Sequence, residues 1–166
     1  PLTHAPLPPA GVWTSPGDAT RWPMHTRLVE SEIALRLGRA VDAALAADLD
    51  QSSAAALVDA MAVSIEIVDS RWQQGLAAPA LLRLADLASH AALVLGEWVP
   101  FVPRDWSAQE CRLVIGMQAP LTRRGTHSCG DTGTGCRGNS SARTGIFCST
   151  GTIRPFGELT AMPMSA

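Results

Sequence analysis

The chain has 166 residues, 46% of them hydrophobic, which is the size and composition of one ordinary globular domain. All 13 basic residues are arginine, and the 15 acidic residues leave a formal charge of −2. This balance provides no basic surface for nucleic acid, and the absence of lysine excludes a side-chain Schiff base. No apolar run approaches the roughly 18 residues of a membrane-spanning helix. We therefore expect neither nucleic acid nor a membrane as a partner.

The start of the chain, residues 1–9, lacks the basic and apolar segments of a secretion signal. Four cysteines without such a signal are typical of reduced thiols, so we expect a cytoplasmic protein. The composition changes near residue 120, because the rest of the chain holds eight of the 14 glycines and three of the four cysteines. These features predict an extended proline-rich arm over 1–26, a domain core over 27–131, and an irregular or disordered tail over 132–166.

The first regular element predicted after the arm is a strand over residues 27–37. Its residues alternate in polarity so that Leu28, Glu30 and Glu32 share one face. Gly38 then ends the strand.

A helix and a second strand are predicted next. Ser52 or Ser53 can cap a helix that runs to about Met61 with apolar residues at helical spacing. Residues 63–68 are rich in β-branched side chains and predict a short strand. Glu66 has apolar neighbours on both sides, so we expect its carboxylate to be buried or nearly so.

The remaining elements alternate in the same irregular way. Pro79 suits the first turn of a helix that reaches about Ser89. Residues 91–96 and 111–117 are candidate strands, and beyond 120 no periodic pattern is visible. Strands mixed with about two helices, without a regular βαβ repeat, predict the α+β fold class.

Three carboxylates in apolar strand contexts carry the strongest chemical signal: Glu30, Glu32 and Glu66. Residues i and i+2 of a strand point the same way, with roughly 7 Å between their Cα atoms, so the first two can converge on one cation. A third carboxylate from a neighbouring strand leaves half of an octahedral Mg²⁺ or Mn²⁺ shell open for water and a chelating substrate. A solvated strand face is the alternative for Glu30 and Glu32. That alternative is the commoner explanation of an E-x-E spacing, whereas Glu66 is harder to dismiss because an unpaired buried carboxylate is costly.

Four blocks of the sequence point to one family. They are VESEIALRLGR at 29–39, IEIVDSR at 65–71, LADLASH at 84–90 and GTHSCGD at 125–131. Through these blocks, residues 27–131 resemble the 2-keto-4-pentenoate hydratase and 4-oxalocrotonate decarboxylase family, a branch of the fumarylacetoacetate hydrolase superfamily. The resemblance implies a mixed β-roll of the fumarylacetoacetate hydrolase type, incomplete at both ends, with residues 27–131 as a hydratase-like catalytic core.

The resemblance also implies a reaction. In that family the E-x-E pair and the later glutamate hold a divalent metal, which carries over to Glu30, Glu32 and Glu66 and to Mg²⁺ or Mn²⁺ as cofactor. The metal chelates a short 2-oxo acid or 2-hydroxydienoate and acts as a Lewis acid during hydration, a lyase step in aromatic meta-cleavage catabolism. We also expect the chain to form a homo-oligomer.

Further site residues follow from the same resemblance. The family's A-D-N-A-S serine contacts substrate, which carries over to Ser89; a helix C-terminal residue is the alternative. Asp69 and Arg71 are candidate catalytic groups that pair with carboxylates or support the metal site, and a local ion pair is an equal alternative. His90 and His127 are acid or base candidates by residue type alone, and a plain polar role fits each of them better.

The chain departs from the family pattern in three respects. Leu87 stands where the family has asparagine, Thr132 stands where it has proline, and the family's catalytic lysine has no counterpart. We interpret the chain as a family fragment, truncated at its N-terminus, whose reading frame changes near residue 130. A 2-oxo acid decarboxylase or C–C bond hydrolase would use the same metal site, and a catalytically inactive interaction module is the alternative from another class.

Overall fold

A computed structural model describes residues 6–20, 22–23, 25–26, 28–103, 109–114, 119–125, 144–147, 152–153 and 158–159. The helices are short: α1 (Ala43–Ala47), α2 (Gln51–Ala55) and α3 (Ala80–Ala85). The strands are β1 (Val12–Thr14), β2 (Gly17–Asp18), β3 (Leu28–Leu37), β4 (Val58–Val68), β5 (His90–Leu95), β6 (Val99–Pro100), β7 (Gln109–Leu113), β8 (Leu121–Gly125), β9 (Thr144–Phe147), β10 (Thr152–Ile153) and β11 (Glu158–Leu159). Many strands with few helices make this an α+β structure, as predicted.

One mixed sheet organises these elements. Its strands run in the order β1-β5-β4-β3-β10, with β6 also paired to β4 and β9 also paired to β3. β3, β4 and β5 are antiparallel neighbours, whereas β1 pairs with β5 in parallel. Two-stranded pairs of β2 with β11 and of β7 with β8 stand beside it.

One face of the central sheet carries the apolar core. Alternate residues of β3, β4 and β5 point to this face because successive side chains of a strand point to opposite sides. They form two buried clusters, one containing Val29, Ile65, Ile67, Ala92 and Val94 and the other containing Ile33, Leu35, Val58 and Met61. Glu30, Glu32, Ser64 and Glu66 of these strands lie on the opposite face.

The strand predicted over 27–37 is confirmed as β3, but the helix predicted to reach Met61 is wrong beyond Ala55. Asp50 rather than a serine caps α2, and it forms a capping box with Ser53. After Ala55 the chain turns into β4, which pairs with β3 along its whole length. The spacing of apolar residues near Met61 resembled a helix, and only the long partner strand decides for extended backbone there.

The later elements lie where they were predicted, but the helix is shorter. Pro79 immediately precedes α3, which ends at Ala85, and a 3₁₀ turn over Leu87–Ser89 replaces the rest of the predicted helix. The strand predicted over 91–96 is confirmed as β5, and the one over 111–117 is confirmed at its start as β7. Residues 115–118 lie outside the described residues.

The proposed arm and tail contribute short strands to these sheets. In the arm, β1 joins the edge of the central sheet, and Trp13 packs against the core. In the tail, β9 and β10 pair with β3 and β11 pairs with β2. The other residues of 132–166 lie outside the described residues, as does His127. Among the described residues, none of the helices has the length and apolar character needed to cross a bilayer.

Candidate metal centre

The three predicted glutamates meet in the middle of the central sheet. Glu30 of β3 lies directly opposite Glu66 of β4, and Glu32 lies opposite Ser64. Because residues two apart share a face and paired residues share a face, all three carboxylates project to the side away from the apolar core. One ligand atom from each carboxylate lies within 4.8 Å of the other two. The convergence expected from the spacing is therefore present.

The electrostatics of this cluster are unfavourable for three charged groups. Burial, then the carboxylate of Glu66, then that of Glu30 raise the pKa of Glu32 from 4.5 to about 9. Like charges at short range in a poorly solvated place disfavour one another, so Glu32 holds a proton at neutral pH when nothing compensates the charge. A divalent cation would supply that compensation.

The donor set fits a small hard cation. All three donors are carboxylate oxygens, the ligands that Mg²⁺ and Mn²⁺ prefer. An octahedral shell with ligands at about 2.1 Å places adjacent oxygen atoms about 3 Å apart, so ligand atoms that lie within 4.8 Å of one another would have to move closer around an ion. Small side chains, Ala34, Ala62 and Ser64, line the same face and are fully buried. Glu30, Glu32 and Glu66 could therefore hold such an ion once their side chains move closer together.

A histidine extends the carboxylate cluster. Nδ1 of His90 lies 2.7 Å from Oε1 of Glu66, and the His90 side chain is only 7% exposed. Residue type had suggested His90 as an acid or base candidate, but nothing in its sequence position linked it to Glu66. The link depends on an irregularity in the pairing of β4 with β5, which the local sequence does not reveal.

Asp69 lies at the end of β4 and binds the proposed arm. Its carboxylate accepts hydrogen bonds from the backbone N–H groups of His25 and Thr26 and from the Thr26 hydroxyl. Although burial alone would raise the pKa of Asp69, these bonds and one from the Ser70 backbone outweigh it and lower the pKa. These contacts support a structural role; the predicted catalytic role stays a prediction.

Arg71 contacts the turn before β5 rather than the glutamates. Its guanidinium donates to Oδ1 of Asp86 at 2.6 Å and to the backbone carbonyl of His90 at 3.0 and 3.1 Å. Asp86 also accepts from the Ser70 hydroxyl and the Arg71 backbone. The alternative of a local ion pair therefore describes the observed contacts of Arg71, and its catalytic role is likewise untested.

Ser89 lies in a strained turn next to His90. Three successive residues, Leu87, Ala88 and Ser89, have φ values of 50°, 56° and 73°, in the left-handed region that favours glycine or asparagine. Ser89 is buried, and its Oγ has no hydrogen-bond partner among the described residues. An unpaired buried hydroxyl is costly, and the substrate contact expected of Ser89 stays a prediction.

Comparison with known proteins identifies no family for this chain. No protein-family model matches the chain, and no curated protein matches it significantly.

Proposed function

We propose that the chain is a divalent-metal-dependent lyase that hydrates a short 2-hydroxydienoate or 2-oxo acid. Glu30, Glu32 and Glu66 hold Mg²⁺ or Mn²⁺ in this proposal. One observation carries it: three carboxylates from two strands converge within 4.8 Å on one face of the sheet. The resemblance of residues 27–131 to the hydratase and decarboxylase family assigned a metal to the same three residues.

The chemistry of the site suits a chelating acid substrate. When bound, the cation supplies Lewis-acid polarisation of the 2-oxo group. The three glutamates occupy half of an octahedral shell, which leaves room for the 2-oxo and carboxylate oxygens of one substrate. The unpaired hydroxyl of Ser89 is the proposed donor to the substrate.

The finer parts of the proposal follow the same resemblance. The mixed sheet and the position of the glutamates on it are compatible with an incomplete β-roll of the fumarylacetoacetate hydrolase type. We propose a cytoplasmic homo-oligomer, with a small 2-oxo acid as the substrate. Decarboxylation or C–C bond hydrolysis would use the same three glutamates.

A non-catalytic role is the second candidate. The chain has no lysine to take the place of the family's catalytic lysine. Asp69 and Arg71, the other predicted catalytic groups, already have partners within the protein. In this case the chain would bind the metal without turning over substrate.

Calorimetric titration with Mn²⁺ tests the metal site, which both candidates require. We expect Glu66→Ala to weaken Mn²⁺ binding by more than about 100-fold, because even loss of a hydrogen-bond partner behind a metal ligand commonly costs 10- to 100-fold. Glu97→Ala makes the same change at an exposed position and should leave affinity unchanged. Equal affinity in wild type and Glu66→Ala would remove the metal assignment.

Product analysis then separates the reactions. Mn²⁺-loaded protein is mixed with 2-hydroxypentadienoate or with 4-oxalocrotonate, and loss of the conjugated diene and release of CO₂ are followed. Diene loss without CO₂ supports the hydratase, and CO₂ release supports the decarboxylase. Tight Mn²⁺ binding with no turnover of either acid supports the non-catalytic candidate.

A further inference from the structure

A β-bulge turns His90 towards the carboxylate cluster. Ile67 pairs with Ala92, but Val68 pairs with His90, so Ala91 is an extra residue in β5. In a regular ladder Val68 would pair with Ala91, and His90 would face the opposite side of the sheet. The extra residue therefore moves the imidazole to the face of Glu66.

The contact of His90 with Glu66 has a defined direction. An ionised carboxylate can only accept hydrogen bonds, so Nδ1 carries the hydrogen atom and donates it to Oε1 over 2.7 Å. Oε1 is thereby engaged, and Oε2 is the oxygen of Glu66 left for a cation.

Packing alone does not explain a histidine at this position. The residue is 6% exposed, and its Nε2 has no hydrogen-bond partner among the described residues. Burying that nitrogen costs free energy that an apolar side chain of similar size would avoid. The compensating feature of the imidazole is its bond to Glu66.

This inference rests on the proposed metal site. We propose that His90 is a positioning residue that restricts Glu66 to binding through one oxygen, and that it thereby makes the site select Mg²⁺ and Mn²⁺ over Ca²⁺. The small cations require near-octahedral shells, for which single oxygens suffice. Ca²⁺ takes six to eight oxygens and commonly uses both oxygens of a glutamate. A hydrogen bond that occupies Oε1 disfavours Ca²⁺ more than Mg²⁺.

The test compares cation selectivity in two matched variants. His90→Leu removes the donor, whereas His90→Asn is similar in size to leucine and offers an amide N–H near the position of Nδ1. Calorimetry with Mg²⁺, Mn²⁺ and Ca²⁺ gives three dissociation constants for each full-length protein. We expect the preference for Mg²⁺ over Ca²⁺ to shrink by about tenfold in His90→Leu and to be retained in His90→Asn.

The selectivity ratio separates positioning from a purely structural effect. A residue that only supports the fold would change all three affinities by the same factor, so an unchanged ratio in folded His90→Leu contradicts the inference. A wild-type protein that binds none of the cations contradicts the proposed metal function instead.

Infrared difference spectra of the wild-type protein provide a test that does not depend on a variant folding. The separation of the two carboxylate stretching bands differs between carboxylates that bind a cation through one oxygen and through two. We expect one-oxygen bands from Glu66 on Mg²⁺ loading. A Mg²⁺-loaded protein whose metal-bound carboxylates show two-oxygen bands alone would contradict the inference.

Discussion

Two groups of carboxylates in this protein have opposite electrostatic environments. At the end of β4 and the turn before β5, Asp69 and Asp86 are buried, but each accepts several hydrogen bonds from the chain. In the middle of β3 and β4, the carboxylates of Glu30, Glu32 and Glu66 crowd one another. Hydrogen bonds offset burial and lower the pKa values in the first region, whereas burial and like charge raise that of Glu32.

This contrast separates the structural acids from the candidate metal ligands. Asp69 and Asp86 are stabilised in their ionised form by groups of the protein itself, so they need nothing from outside. The glutamate cluster lacks such compensation for Glu32, and an external cation would provide it. Uncompensated charge in a partly buried place is therefore the feature that marks the candidate site.

The first expected effect on stability concerns the structural region. Asp86→Asn removes the charge that receives the Arg71 guanidinium, the Arg71 backbone N–H and the Ser70 hydroxyl. Hydrogen bonds to charged groups contribute about 1.5–3 kcal/mol each at most, so we expect a loss of about 2–3 kcal/mol. Chemical denaturation measures this change in the free energy of unfolding.

Asp59→Asn is the matched control for that substitution. It disrupts the exposed ion pair of Asp59 with Arg36, and because water solvates and screens both charges we expect a much smaller loss of stability. Equal losses in the two variants would show that burial of the Asp86 network adds nothing.

The next effect concerns the glutamate cluster and depends on pH. Because folding raises the pKa of Glu32 from 4.5 to about 9, the metal-free folded protein binds a proton that the unfolded chain releases in this range. Its contribution to stability is complete below pH 4.5 and is lost as the pH rises towards 9, by up to about 1.4 kcal/mol per pH unit.

Glu32→Gln tests this pH dependence. The variant should be more stable than the wild type at pH 8 in the presence of EDTA, should lose the downward slope, and should lose Mn²⁺ affinity. Thermal unfolding between pH 5 and 9 measures the slope. A wild-type slope that persists in Glu32→Gln would assign the proton to another group.

The smallest effect concerns the backbone strain next to Ser89. Leu87 has a φ of 50°, where asparagine is more readily accommodated than leucine. We expect Leu87→Asn to raise the free energy of unfolding by about 0.5–1 kcal/mol. Thermal unfolding at pH 7 measures the change.

Leu84→Asn provides the comparison for that variant. Leu84 is 50% exposed within α3, where asparagine is the poorer helix former, so this change should be destabilising by about 0.5 kcal/mol. A decrease in stability in both variants would contradict the role assigned to strain at Leu87.

Much of the sheet could be predicted from sequence because its strands alternate clearly. Polar and apolar residues alternate along β3, which predicted the strand and the shared face of Glu30 and Glu32. The start of β4 was missed because Val58 and Met61 also fit helical spacing. Their extended conformation depends on pairing with Leu37 and Leu35, more than twenty residues away.

The candidate site was predicted in part for the same reason. Glu66 could be singled out because a carboxylate between isoleucines is unusual, but its position opposite Glu30 is a matter of strand register. The contact of His90 with Glu66 depends on the bulge at Ala91. Asp69 and Arg71 were predicted to be catalytic from the family resemblance, whereas their observed contacts are with Thr26 and Asp86.

The sequence by itself determined which residues share a strand face and which chemistry they offer, because side-chain alternation is a local property of the extended backbone. Only the tertiary structure decided that Glu30, Glu32 and Glu66 meet and that His90 turns towards them. Register and bulges arise from pairing between distant segments, and a shift of one residue would move a whole strand's side chains to the other face.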